Sequence, residues 1–125
     1  MKRDADLYRR LLLDIEESKG PLNQNHHVEG FTQEQVAYHL AQIIEGKLAE
    51  GPDPRYPSTG VNPQIPLSVV ARRLTPAGHD FIDNLRDETV WKTVKSRMGK
   101  AGSTVALEVI RALAHTVVRE SLHLS

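Results

Sequence analysis

A chain of 125 residues carrying 16 Lys+Arg against 16 Asp+Glu has length for one hydrophobic core and no net charge to advertise a polyanionic partner. Its 39% hydrophobic and 26% charged content is that of an ordinary globular protein, and the neutral balance argues against indiscriminate nucleic-acid binding while leaving room for a local basic patch. Without cysteine there is no disulfide, thiolate zinc site or cysteine nucleophile, and no apolar run approaches a membrane span, so a cytoplasmic protein with no membrane partner is expected.

Leu7, Leu11, Leu12 and Ile15 recur at helical spacing and predict a first helix over about Arg3–Ser18. Asp4 and Asp6 stand at its dipole-favoured start, and Gly20-Pro21 stops it. Arg9, Arg10, Asp14, Glu16 and Glu17 read as a solvated charged face. A polar connection, Leu22–Gly30, follows, with Val28 expected in a short strand that pairs with later ones. His26 and His27 are neighbours in extended chain and point to opposite sides, so they do not read as a shared metal site.

Phe31–Gly46 has the strongest local chemistry. Thr32 and Gln35 fit a capping box, Phe31 and Val36 a hydrophobic staple, and Val36, Leu40, Ile43 and Ile44 form the buried stripe. Gly46 suits the left-handed residue that ends a helix, and Lys47–Glu50 reads as a short strand. Gly51–Pro66 holds five of the seven prolines, which excludes a central strand and predicts a long loop. Leu67–Leu74 reads as the returning strand of a β-hairpin with an elongated wing.

Thr75 as N-cap and Pro76 at the first position open the next helix, with Phe81, Ile82 and Leu85 apolar. Asp87-Glu88-Thr89 marks a bend or a new start, after which Val90, Trp91, Val94 and Met98 keep helical spacing, Trp91 as a core anchor. Lys92, Lys95, Arg97 and Lys100 form the dense basic run, read as a solvated helix face. Gly99 and Gly102 break the helix, and Ser103 caps a last one reaching Leu122. Its broad apolar surface requires cover by its own domain or by a second copy, a homodimer formed through Val105, Val109, Ile110, Leu113 and Val117. The expected architecture is mainly α with a small antiparallel β-hairpin: a winged-helix-like domain over residues 1–86 and a C-terminal helical extension over 87–125.

Element order makes Phe31–Gly46 the candidate recognition helix, whose outer side carries Gln35, Tyr38, His39 and Gln42. Glutamine pairs with adenine through both amide atoms, and tyrosine or histidine reaches bases and phosphates. Arg55 with Tyr56 in the wing, and Arg72 and Arg73 at its base, are candidate phosphate contacts to double-stranded DNA. Glu34 and Glu45 oppose this, since the helix holds no Lys or Arg before Lys47. No catalytic residue, cofactor or metal is expected: there is no phosphate-cradling loop, HExxH or nucleophile elbow, and Asp80, Asp83 and Asp87 read as a solvated face. The alternative is a protein-interaction module that keeps the winged-helix shape without a DNA surface.

Met1-Lys2-Arg3-Asp4, Tyr38-His39-Leu40 leading to Gly46-Lys47-Leu48-Ala49-Glu50-Gly51, Leu74-Thr75-Pro76-Ala77-Gly78-His79-Asp80-Phe81 and Arg86-Asp87-Glu88-Thr89-Val90-Trp91-Lys92 resemble a small prokaryotic and phage-associated family, domain of unknown function 2513. The middle of the chain is also similar to winged-helix regulators, whose second wing strand ends in Leu-Thr-x-x-Gly. The resemblance implies an uncharacterised protein, a regulator of phage or mobile-element origin, and supplies no site residues. One departure stands out: a single helix fits between Gly30 and Lys47, where such regulators place two.

Overall fold

The computed structural model describes residues 1–60, 62–99 and 106–124; the expected Ser103 cap, Gly102, Lys100 and Val105 lie outside them. Helix α1, Ala5–Glu17, starts at Asp4, whose carboxylate accepts the Leu7 amide at 3.1 Å, and ends where Ser18 turns extended. It buries Ala5, Leu7, Tyr8, Leu11, Leu12 and Ile15, a wider stripe than its leucines alone define.

Strand β1 is Leu22–Asn23, not the stretch around Val28. Asn23 ends it: its side chain accepts the Asn25 amide at 2.8 Å and its carbonyl the His26 amide at 2.9 Å, turning the chain at once. Val28 still reaches the core, but from the connection that follows.

In place of one hairpin the chain makes two short antiparallel pairs. Strand β2, Ala49–Glu50, pairs with β4, Arg73–Leu74; β1 pairs with β3, Val70–Ala71. The stretch 70–74 therefore meets β1 through its first half and β2 through its second, with the Arg72 amide donating to the Glu50 carbonyl at 2.7 Å. An isolated bridge, Arg55 to Ser68, closes the proline-rich loop. At the start of that loop a Cβ on Gly51 would stand 1.9 Å from the Val70 carbonyl oxygen, so only glycine fits.

Helix α2, Gln33–Glu45, has the expected capping box: the Gln35 amide donates to Thr32 Oγ1 at 3.1 Å and the Thr32 amide to Gln35 Oε1 at 2.8 Å. Its other end departs from expectation. Gly46 has φ −80°, and Lys47 is the left-handed residue at φ 64°. The Leu48 amide reaches back to the Ile43 carbonyl and the Lys47 amide to that of Ile44, both at 3.0 Å, the paired bonds of a Schellman cap centred one residue later. A side chain in that conformation is strained, so Lys47→Gly is expected to stabilise the protein by about 0.5–1 kcal/mol once the added freedom of the unfolded chain is subtracted. Urea unfolding measures it; a lower midpoint for the variant would contradict it.

Helices α3 (Pro76–Leu85), α4 (Glu88–Met98) and α5 (Leu107–Leu124) complete the chain. Thr75 caps α3 and Asp87 caps α4, the latter accepting the Thr89 and Val90 amides at 2.8 and 3.0 Å. Trp91 is buried, with its indole N–H on Asp6 at 3.0 Å. The described part of the basic run is partly neutralised within the molecule: Lys95 pairs with Asp6 and Arg97 with Glu120.

The apolar side of α5 packs on α1, α3 and α4. Ile110 and Val117, expected at a dimer contact, are 1% and 4% exposed and belong to the same core as the leucines of α1. Leu113 is partly buried against that core, which leaves Val109 at 46% exposure as the outward one of the described members. Much of the apolar surface on this helix is covered by its own chain, while Val109 and Leu122 stay exposed.

Candidate nucleic-acid interface

The outer side of α2 differs from the four-residue face expected of it. His39 is 0% exposed. It stands three residues after Val36 and four before Ile43, on the margin of the apolar stripe, and the start of α1 closes over it. The Asp4 amide donates to its Nε2 at 2.8 Å, so that nitrogen carries no proton; Nδ1 carries it and donates to the Gln35 carbonyl at 2.7 Å. Tyr8 and Tyr38 pack on the imidazole, ring centres 4.7 and 5.3 Å away. Burial pulls the His39 pKa below its ordinary value, against the opposing pull of the Gln35 carbonyl and the Asp4 carboxylate. This histidine is a structural member of the α1–α2 contact and cannot enter a groove.

Gln35 is partly committed too. Its amide oxygen accepts the Thr32 amide, whereas bidentate adenine recognition needs both the oxygen and the nitrogen free. Tyr38 and Gln42 remain, both half-buried. Gln42 accepts a long bond from Arg3 Nε at 3.4 Å, and Tyr38 lines an open cleft of about 330 Å³ with Met1, Lys2 and Arg3. The Met1 amine in turn donates to Gln64 of the wing at 2.6 Å. Residues 1–3 thus lie between α2 and the wing. Sequence reasoning gave them no role; the signal was the Lys2-Arg3 pair just ahead of a helix cap. Beneath them the Tyr8 hydroxyl is buried without a hydrogen-bond partner, and its pKa is pushed up to about 12 by burial although the nearby Arg3 charge pulls the other way.

The candidate arginines of the 51–74 stretch divide. Arg55 is exposed, and its backbone holds the wing base: its amide donates to the Ser68 carbonyl at 2.9 Å and its carbonyl accepts the Leu67 amide at 2.7 Å. Arg72 is exposed, but Arg73 Nε is bound to Glu50 at 2.7 Å and its charge is locally answered. Tyr56 folds back onto the end of α2, donating to Glu45 Oε1 at 2.6 Å; desolvation, followed by that carboxylate, raises its pKa.

Elsewhere, His26 pairs with Asp14 at 2.8 Å, and no group of three His, Asp or Glu among the described residues is placed to hold a metal ion. Asp83 bonds Arg86, and Asp87 caps α4, which gives both ordinary structural employment. No described helix is long and apolar enough to cross a membrane.

An uncharacterized protein of Haemophilus influenzae (strain ATCC 51907 / DSM 11121 / KW20 / Rd) is 33% identical over 125 residues, covering 98% of this chain and 99% of its own. No solved structure matches the chain. A family model described as hypothetical protein (DUF2513) matches residues 2–104, and the chain belongs to that family.

Proposed function

We propose that this protein is a winged-helix-like DNA-binding regulator that engages duplex DNA with the outer side of α2, the 51–66 wing and the Lys2–Arg3 segment between them. The element order helix, strand, helix, strand, wing, returning strand, helix supports the winged-helix reading, with the turn at residues 23–32 standing where a further helix is usual. The observation that carries the DNA reading is the position of Lys2 and Arg3 beside Tyr38 and Gln42. Helix α2 has no cation of its own, and these two residues supply phosphate-binding charge at its exposed side. Among nearby acids, Glu50 is paired with Arg73, while Glu45 accepts from the neutral Tyr56 hydroxyl and keeps its charge. The competing reading, an oligomerisation module built on α5, loses Ile110 and Val117 to the core.

Fluorescence anisotropy with mixed-sequence duplexes at low salt tests the proposal. Replacing Lys2 and Arg3 together by alanine is expected to weaken binding about tenfold and to flatten the log–log salt slope by about 2. Tyr38→Ala with Gln42→Ala is expected to weaken it further, whereas Arg111→Ala on exposed α5 leaves it unchanged. Absence of wild-type binding, or equal effects from both surfaces, would sink the idea.

A further inference from the structure

Asp4 serves two elements at once. Its carboxylate caps α1 through the Leu7 amide, and its own amide donates to His39 Nε2. Immediately before it come Lys2 and Arg3. The other bonds of this segment, Met1 to Gln64 and Arg3 to Gln42, are solvent-exposed, so the bond to His39 is the partly buried anchor that fixes where the two cations sit. That anchor requires Nε2 as an acceptor. A proton on Nε2 would turn it into a donor facing a donor, and the Asp4 amide would have to leave.

We propose that His39 is a positioning residue for DNA binding: unprotonated, it holds Lys2 and Arg3 beside Tyr38, and proton uptake at Nε2 releases them and weakens the grip on duplex DNA. The inference rests on the DNA-binding reading above. The charged and titratable groups facing His39 are Asp4 and Arg3 from the segment before α1, Tyr8 from α1 and Tyr38 from α2. Tyr8, with its pKa near 12, stays neutral throughout the acid range. Burial, aided by Arg3, lowers the folded-state pKa and outweighs the Gln35 carbonyl and Asp4, which favour the imidazolium. A released or unfolded histidine therefore takes the proton more readily than the anchored one. The anchor's contribution is fully present above the ordinary histidine value of 6.5 and is lost as pH falls from there through the lowered folded-state value.

The test compares wild type with His39→Gln, whose amide oxygen can accept the Asp4 N–H and does not titrate. Each is measured with and without the paired alanines at Lys2 and Arg3, by DNA anisotropy at about pH 8 and about pH 5. Taking the loss caused by the paired alanines at each pH cancels the general tightening from protonation of the other histidines. The expected loss is about tenfold for both proteins at high pH, fading in wild type at low pH and persisting in His39→Gln. A loss in wild type that is the same at both pH values overturns the role of His39 and leaves the DNA reading standing; no binding by wild type overturns both. If His39→Gln does not fold, NMR of the free wild-type chain decides. The Asp4 amide and the His39 ring are expected to shift together with one midpoint below 6.5. An Asp4 amide that ignores the ring's titration, or a ring that stays neutral down to about pH 5, refutes the proposal.

Discussion

Gly78→Ala is expected to destabilise the protein by about 4 kcal/mol, lowering Tm by about 15 °C, because the new methyl group has nowhere to go. A Cβ at this position would stand 2.0 Å from the Leu48 carbonyl oxygen and 3.0 Å from its carbon, with Leu74 Cβ at 3.3 Å. The obstacle is backbone, not a flexible side chain that can swing aside. The approach is close because Thr75 pulls α3 onto the Lys47–Leu48 peptides: its amide donates to the Leu48 carbonyl at 3.0 Å and its hydroxyl to that of Lys47 at 2.7 Å. Relieving the clash means lifting the first turn of α3 and stretching those bonds, next to the β2–β4 pair. Gly20→Ala is the control: nothing lies within 4 Å of its Cβ position and its φ is unremarkable, so a change within about 0.5 kcal/mol is expected. Thermal unfolding followed by circular dichroism measures both. Equal melting temperatures for the two variants would show that α3 does not sit this tightly on Leu48.

The second large effect is expected at Arg9. Its side chain is 14% exposed, with Nε on the Leu85 carbonyl at 2.8 Å and Nη2 on the Arg86 carbonyl at 3.0 Å. The same nitrogen reaches Glu88 at 3.2 Å, and the guanidinium lies 5.6 Å from the Trp91 ring centre. The last carbonyls of a helix have no partner within it, and here a residue far away in sequence supplies one. Arg9→Met keeps the apolar stem and removes every donor, at an expected cost of about 3 kcal/mol. Arg9→Lys is expected to recover only part of this, since a point charge cannot fork across two successive carbonyls. Urea unfolding followed through Trp91 fluorescence, the only tryptophan, reads the effect at the contact itself. A methionine variant as stable as wild type would return Arg9 to the solvated face on which its helical spacing places it.

These residues show what a single sequence discloses. Caps are local: Thr32 with Gln35 and Thr75 with Pro76 form where their spacing indicates, and Asp87, read from sequence only as a bend or new start, caps α4. The Leu-Thr-x-x-Gly pattern was legible as a signature, while its cause, the Thr75 and Gly78 contacts with Lys47 and Leu48, is tertiary. The same holds for the misreadings. Gly46 looked like the left-handed residue because glycine favours it, but the helix continues through Glu45 and the reversal falls on Lys47. His39 looked exposed because periodicity leaves a marginal position undecided, and the choice is made by the segment before α1 packing over it. The breadth of apolar surface on α5 implied a cover without saying which, and for Ile110, Ala114 and Val117 the cover is intramolecular. For the candidate interface, Tyr38 and Gln42 keep the position that α2's periodicity gave them, whereas the involvement of Lys2 and Arg3 depends on a contact some 35 residues distant.

Helix α1 is made first and completed last. Its partners include Leu85 and Arg86 through Arg9, and Trp91 and Lys95 through Asp6, separations of 76 to 89 residues. During synthesis its leucine stripe can meet α2 once that helix has left the ribosome, but Asp6 has no Trp91 or Lys95 until α4 emerges. At about 5–20 residues per second α4 follows α2 by several seconds, an interval in which the cover of α1 is incomplete. The long sequence separation also slows the final search relative to a bundle of consecutive hairpins. A chain truncated before Glu88 would leave Asp6 without Trp91 and Lys95 and Arg9 without Glu88, while the Leu85 and Arg86 carbonyls would still hold the guanidinium, so nascent and degraded forms alike would keep α1 docked but only partly covered.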